Sequence, residues 1–555
     1  MINPRTPPHP RSFPAIALIF ILILTSPLFA ESTPTTKSPA TIPVTHLSSP
    51  GNKNLPDPTF SLTRAEYEDR VSAIWYSQII SVYLTLRFEH NIGAVEPIHS
   101  FPAPRAIAGV DDDWYYEMCA VRAFEKHGIG LTADQLGEQW LENSCGSWGS
   151  SEAALRALRR GVKGSQSGHP RNNHVWWTIG PAFTCELYGA LAPGLPNEAG
   201  RMARELGHIN GYAEAVDGAV IIAGAVSIGF VERDPRIVLR RAIQLVDPSS
   251  PYRQCVESVI NMAEAGRNFE EIIQTIQDRG RIEYPQSNNA VVNGGITAAV
   301  LWFGEGDFWK TINLGARADD FTDADCTSSS AIAILAAMRG MAFLPPALVA
   351  QLGDRIVGAQ LGKVKLTPAV DERLSDLARR TTAIGIKIIL AQEGKLEGER
   401  LSLTPQTPKP QPAERFVLND LMAYFAPEWT LMRAGFGGIH GTTGFMSDNS
   451  LETFPRDESR GLLLRRNMKL SATPKLSFEV AAAPRRVFEL RVYVGNQQLH
   501  REVIKGFTDK REYRKFEFDL APYAGQEVTL RIYQAVLLLG DECPGSAFWR
   551  NINVQ

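Results

Sequence analysis

Two hydrophobic periods divide this chain. From about Ala65 to about residue 395, apolar residues return every three or four positions, the repeat of a helix face, with Gly, Pro and Asn at the breaks. Further on the repeat becomes two. Lys475 to Val480, Phe488 to Val494, Tyr513 to Leu520 and Val528 to Tyr533 alternate apolar and polar residues, with turn residues such as Gly495 and Gly525 between them. The pattern predicts a multidomain chain: an all-α domain over 61–400, then an all-β sandwich over 415–555. Residues 401–414, with Pro405, Pro408, Pro410 and Pro412, read as an extended, stiff linker, because proline fixes the backbone torsion.

Within the helical half, Asp217 to Phe230 is apolar nearly all round and rich in small residues, as suits a helix packed on several sides. A second central helix runs from Ile296 through Trp302, ends near Gly304, and is followed by Asp307 as an N-cap. Another begins near Ser329 and carries Ile332, Leu335, Met338 and Met341. Three aspartates, Asp111, Asp112 and Asp113, precede a helical run from Trp114 to His127 that Gly128 can end.

A length of 555 residues is too great for one ordinary core, in keeping with two folded parts. The net charge of -3 excludes the basic surface that nucleic acid requires. Residues 1–30 read as a signal peptide: Arg5 and Arg11 precede an apolar stretch from Phe13 to Phe29, and Ala30 is a small residue before a cut near Glu31. The rival reading is an uncleaved anchor, but Pro14 and Pro27 shorten that stretch below the roughly 20 apolar residues a span needs. Residues 31–60, rich in Ser, Thr and Pro, read as a disordered tether. The expected location is secreted or periplasmic, with no transmembrane span in the mature protein. Cysteines 119, 145, 185, 255, 326 and 543 make an even set whose spacing gives no pairing, and Cys119 and Cys185 read as buried thiols.

The chemistry concentrates in two acidic clusters. One aspartate is enough to cap a helix, whereas three in a row repel one another unless a dication takes up their oxygens. Asp323 and Asp325 form a second cluster, again ahead of a helix and followed by Cys326 and Thr327. Capping and metal binding are both open for each cluster on this reading alone. Among weaker motifs, no histidine pair has zinc spacing, and Gly164 to Gly168 is not a nucleophile elbow because Gln166 stands where the serine belongs.

Residues 65 to 345 resemble the ADP-ribosylglycohydrolases and their dinitrogenase reductase-activating relatives. The resemblance rests on ordered motifs: Asp111-Asp112-Asp113, then Ile179-Gly180, Leu187-Tyr188-Gly189, Ala192-Pro193-Gly194, His208, Asp217-Gly218-Ala219, Phe303 to Phe308 and Asp323-Ala324-Asp325-Cys326. It implies that the two acidic elements converge on magnesium, two ions being expected. Asp111, Asp112, Asp113, Asp323, Asp325 and Cys326 would be the metal residues, with Thr327 a substitute if the thiol is a poor donor. Glu89, at the end of the first long helix, would be the catalytic base, and His208, Asp217 and Gly218 would serve substrate binding. The chain departs from the family where glycines become Ala73, Ser77, Ser81 and Thr85, where a buried aspartate becomes Val82, and where Trp114 replaces threonine, which predicts a narrowed or reshaped pocket.

What the resemblance implies is a magnesium-dependent hydrolase that cleaves an N- or O-glycosidic bond in an ADP-ribosyl or other sugar substrate. The export signal favours another glycoside over ADP-ribosylated protein. In the second half, Phe516 to Leu520, Tyr523-Ala524-Gly525 and Ala547-Phe548-Trp549 resemble jelly-roll, galactose-binding-like modules of carbohydrate enzymes, which implies a polysaccharide partner, although a core position is the favoured reading for Trp549. Two alternatives remain open: a non-catalytic metal- or glycan-binding protein on the same scaffold, and an envelope interaction protein that works through its sandwich.

Overall fold

The first long helix, Arg64–Thr85, begins at a capping box: the Glu66 amide donates to Thr63 Oγ1 at 3.1 Å and the Thr63 amide donates to Glu66 Oε2 at 2.6 Å. Its buried small residues, Ala73, Ser77, Ser81 and Thr85, let it lie close along the helix Ala324–Arg339. The hydroxyls do not break that contact, because Ser77 donates back to Ile74 O at 2.8 Å and Thr85 to Ser81 O at 2.7 Å. The computed structural model describes residues 59–555 apart from 103–107, 284–287, 319–322, 415–417, 434–443, 446–449, 456–460, 508 and 538–544. The signal peptide, all of the tether except its last two residues, and Cys543 lie outside the described residues.

Two further helices complete the centre of the helical half. Every residue of Glu214–Gly229 is buried, as is almost every residue of Ala290–Gly304. Tyr252 packs between them against two glycines: a Cβ on Gly218 would lie 2.4 Å from its ring and one on Gly294 2.2 Å. Asp307 caps the helix Phe308–Arg317, accepting from the Lys310 amide at 2.7 Å, and Gly128 at φ +82° ends Asp112–His127. The helix expected from Ser329 starts five residues earlier, at Ala324, so the second acidic cluster opens the helix itself.

Two features of this half follow no helical period. Arg355–Leu361 and Val364–Arg373 form an antiparallel hairpin ahead of the helix Leu374–Ala391, and Phe60–Thr63, Arg400–Leu403 and Lys395–Glu397 make a small sheet. The proline-rich stretch is extended, but it is bound to the helical half along its length. Gln406 N donates to Gly194 O at 2.9 Å, Gln411 N to Leu245 O at 2.8 Å, and Asp247 N to Gln411 O at 3.1 Å. It is a strap, because its extended peptide groups find hydrogen-bond partners on the turns and helix ends it crosses.

The C-terminal half is a helical domain's β-sandwich partner of two five-stranded antiparallel sheets. One has the order Arg514–Asp519, Lys475–Ala482, Ala547–Val554, Leu451–Thr453, Gly444–Phe445; the other runs Gln497–Lys505, Val487–Val494, Glu527–Ala535, Leu462–Lys469, Thr430–Met432. Trp549 joins them: its ring meets Phe478 at 5.8 Å in its own sheet and Phe488 at 6.3 Å in the other. Its Nε1 donates to Thr453 Oγ1 at 2.8 Å, so the indole is a satisfied core residue. The four alternating runs all fall on strands. Trp176, Trp177 and Ala213 of the helical half belong to the same apolar cluster as this core. No helix among the described residues is long and apolar enough to cross a membrane.

Candidate metal centre

The helices Asp112–His127 and Ala324–Arg339 bring their N-terminal ends to one cavity of about 460 Å³, and both acidic clusters line it. Asp111 is the N-cap, accepting from the Asp113 amide at 3.5 Å, which is the capping role the sequence allowed. Asp323 occupies the corresponding place on the second helix, yet its side chain makes no cap bond. Its backbone amide instead donates to Asn293 Oδ1 at 2.9 Å, which fixes the loop and leaves the carboxylate facing inward. Ligand atoms of Asp113, Asp325 and Cys326 lie within 4.8 Å of one another, as do those of Asp111, Asp112 and Asp113 and those of Glu89, His90 and Asp323. The clusters that are far apart in sequence meet.

Their electrostatics are those of an incomplete site. Oδ1 of Asp113, of Asp323 and of Asp325 are buried and have no hydrogen-bond partner among the described residues. A buried, unpartnered carboxylate oxygen is costly, and three facing one cavity call for a compensating charge. Burial pushes the Asp113 carboxyl well above its ordinary range, and repulsion from Asp325 and Asp111 adds to it. Asp325 is raised in the same way by burial and then by Asp323, and Asp112 by burial and then by Asp111. All-oxygen, anionic and unpaired, this donor set fits a hard divalent cation. Cys326 is the exception: its Sγ lies 3.5 Å from Asp113 Oδ2, and burial holds the thiol protonated. Thr327 does not substitute for it, since its hydroxyl donates to Ala324 O at 3.3 Å and lies outside the cavity wall.

Glu89 follows a single 3-10 turn after the first long helix and lines the cavity, 3.4 Å from His90 Nε2. His90, Trp148, Ser150 and Asn288 also reach the wall, and the sequence reading named none of them. They form no recognised motif or metal-ligand spacing that would single them out. The three residues expected to bind substrate do not line the cavity. Asp217 is buried and accepts from Arg204 at 2.6 Å; His208 pairs with Glu414 of the strap at 2.8 Å; Gly218 admits the Tyr252 ring. Their order along the chain reflects helix packing and strap anchoring.

The family model for ADP-ribosylglycohydrolase matches residues 63–384, well over half of the chain. The chain belongs to the ADP-ribosylglycohydrolase family. A search of curated proteins gave no match. Among solved structures the chain is similar to a cleaved adhesin domain of Lys-gingipain from Porphyromonas gingivalis, at 12% identity over 23% of this chain and 91% of that one, with a TM-score of 0.18. It is also similar to a family 4 carbohydrate-binding module, at 13% identity over 24% and 89% with a TM-score of 0.18. A family 35 module from Paenibacillus barcinonensis matches at 14% identity over 23% and 92%, with a TM-score of 0.16.

Seen as an ADP-ribosylglycohydrolase, the chain carries two departures that do not narrow the pocket. Trp114 is fully buried against Tyr83, ring centroids 5.8 Å apart, and is absent from the cavity wall, as is Val82. The large ring thickens the core behind the acidic helix, so the expected narrowing does not arise from it. The membership supports a glycosidase-like hydrolase with a sugar-type substrate.

Proposed function

We propose that this protein is an exported, magnesium-dependent glycoside hydrolase that cleaves an N- or O-glycosidic bond in an ADP-ribosyl-type or other sugar substrate. The observation that carries the reading is a set of three buried aspartate oxygens, on Asp113, Asp323 and Asp325, that line one cavity and have no partner among the described residues. Asp111, Asp112, Asp113, Asp323 and Asp325 would hold two magnesium ions, with Cys326 at the margin because a thiol is a weak donor to a hard cation. When bound, magnesium supplies charge that polarises a sugar oxygen and lowers the pKa of water.

The residues of the chain divide the remaining work. Glu89 takes the proton of the attacking water, from a half-buried position on the cavity wall where a carboxylate stays in reach of solvent. Trp148, about half exposed at the rim, offers an apolar face to a ring, and Ser150 and Asn288 offer polar groups beside it. The export reading rests on residues 1–30 of the sequence and favours another glycoside over ADP-ribosylated protein as the substrate. The sandwich, through the resemblance of Phe516–Leu520 and Tyr523–Gly525, is proposed to hold polysaccharide.

The test is Asp323→Asn assayed with magnesium against a panel of nucleotide sugars and glycans. We expect turnover by the unaltered protein and a loss of at least about a hundredfold in the variant, since the substitution removes an anionic ligand of magnesium. An unchanged rate sinks the mechanism. The protonated thiol of Cys326 beside Asp113 favours one second reading, a metal- or glycan-binding protein that does not turn over. Magnesium binding by calorimetry with no hydrolysis of any member of the panel would establish it.

A further inference from the structure

Cys119 and Cys145 are the candidates for a modification of this chain. Their sulfurs lie 2.8 Å apart and both residues are fully buried. That separation stands between the roughly 2.05 Å of a disulfide and the spacing of two unbonded sulfurs. Among the described residues no third metal-binding side chain joins the pair, so a metal is not what the two thiols await.

The backbone around them is arranged to hold the approach. Cys145 sits in the turn between the helices Ala133–Asn143 and Gly149–Arg159, flanked by Ser144 at φ +58° and Gly146 at φ +126°. Gly146 accepts no side chain, since a Cβ there would lie 2.4 Å from Ser151 O. The acidic helix grips the same turn on both sides of the cysteine. Tyr115 Oη donates to Asn143 O at 2.8 Å, and the Ser147 amide donates to Tyr116 Oη at 3.1 Å. Cys119 is one turn further along that helix, beneath the gripped turn.

We propose that Cys119 and Cys145 form a disulfide that fastens the rim of the cavity to the helix carrying Asp111, Asp112 and Asp113. The bond ties that helix to the segment leading directly into Trp148, Gly149 and Ser150, which also line the cavity. The oxidant is a protein or small-molecule disulfide. One cysteine thiolate attacks it, forming a mixed disulfide and expelling one thiolate. The second cysteine then displaces the other, so the pair gives up two protons and two electrons and the donor leaves as two thiols. Exchange takes place during folding, before the turn closes, because burial in the finished fold holds the Cys145 thiol protonated. The inference is independent of whether the protein hydrolyses a glycoside.

The experiment uses the full chain refolded in a mixture of reduced and oxidised glutathione, denatured in the presence of an alkylating agent and digested without reductant. The expected product is a linked peptide pair containing Cys119 and Cys145, lighter by two hydrogens than the two free peptides together. Recovery of both cysteines alkylated, or of either joined to another cysteine, overturns the proposal. A second measurement compares thermal unfolding with and without dithiothreitol. Reduction lowers the midpoint of the unaltered protein by several degrees and leaves that of the Cys119→Ala, Cys145→Ala double variant in place; an equal shift in both also overturns it. The peptide map needs no variant, so it decides the matter even if the double variant does not fold.

Discussion

At the scale of single residues, the three orphaned oxygens set the behaviour of the metal-free protein. Asp325 is crowded by Asp323 and Glu89 in a buried place, so a neutral amide there removes a repulsion that a bound cation or a taken-up proton otherwise relieves. Asp325→Asn should raise the stability of the metal-free protein by about 1–3 kcal/mol and at the same time abolish its stabilisation by magnesium. Thermal unfolding across a magnesium titration measures both. The unaltered protein should gain about 2.7 kcal/mol at a hundred times the dissociation constant, from mass action alone. A variant less stable than its parent without metal would show the carboxylate to be a structural partner instead. The acids themselves were legible in the sequence, because three in a row exceed what a cap needs. What the sequence left undecided was capping against ligation, since Asp323 occupies an N-cap position and differs from a true cap only in where its side chain turns. His90 and Asn288 were beyond reach for a plainer reason: a lone polar residue carries no pattern, and the fold alone brings it to the wall.

At the scale of elements, the helices carrying the two acidic clusters are joined one turn below the cavity by a buried polar network. Gln78 of the first long helix donates to Glu117 Oε2 at 3.0 Å, the Leu187 amide donates to Glu117 Oε1 at 2.8 Å, and Ser330 donates to Glu186. Glu117 and Glu186 are both fully buried. Burial pushes the Glu186 carboxyl up to about 7 from 4.5, and burial followed by repulsion from Glu186 raises Glu117 further. The folded-state pKa of Glu186 therefore lies above its unfolded value, so between about 4.5 and 7 the native protein holds a proton that the unfolded chain has released. Stability accordingly falls as pH rises through that window, and the loss is complete above it. Glu186→Gln should match the parent near pH 4 and exceed it by about 3 kcal/mol at pH 8, while keeping the Ser330 hydroxyl satisfied. Denaturant unfolding at the two pH values measures this, and a parallel pH dependence in parent and variant would contradict it. Helix positions could be read from the sequence because apolar period, cap and stop agree, as at Asp307 and Gly128. The hairpin Arg355–Arg373 could not, because its alternation is short and its outer face is largely exposed, so neither period dominates.

At the scale of the whole molecule, the change of period along the chain marks a change of architecture and of apolar cluster, and a few residues of the helical half belong to the second cluster. Trp176 and Trp177 leave the helical half to join the apolar cluster of the sandwich, which also takes in Ala213, Leu421 and Trp429. Nothing in the period of either half announces this, since each tryptophan reads as an ordinary core residue until its neighbours are known. The proline-rich strap has a related meaning: Glu414 at its end meets His208 and, through its other oxygen, accepts from the Ala213 amide at 3.3 Å, so the connection is fixed where the two halves meet. Tryptophans of the helical half set in the sandwich's apolar cluster should make unfolding of the halves cooperative, because losing either half would expose indole surface to water. Trp176, about 2% exposed, supplies the most sensitive probe. Trp176→Ala should cost about 3–5 kcal/mol, as for other buried aromatic truncations, and its effect should appear in both halves together. Calorimetry of the parent should show one transition, and circular dichroism bands for helix and for strand should lose amplitude at the same temperature. In the variant both should move down by the same amount. If helix and strand signals instead separate in the parent, or if only the strand signal shifts in the variant, the two halves are energetically independent and the tryptophans merely fill their contact.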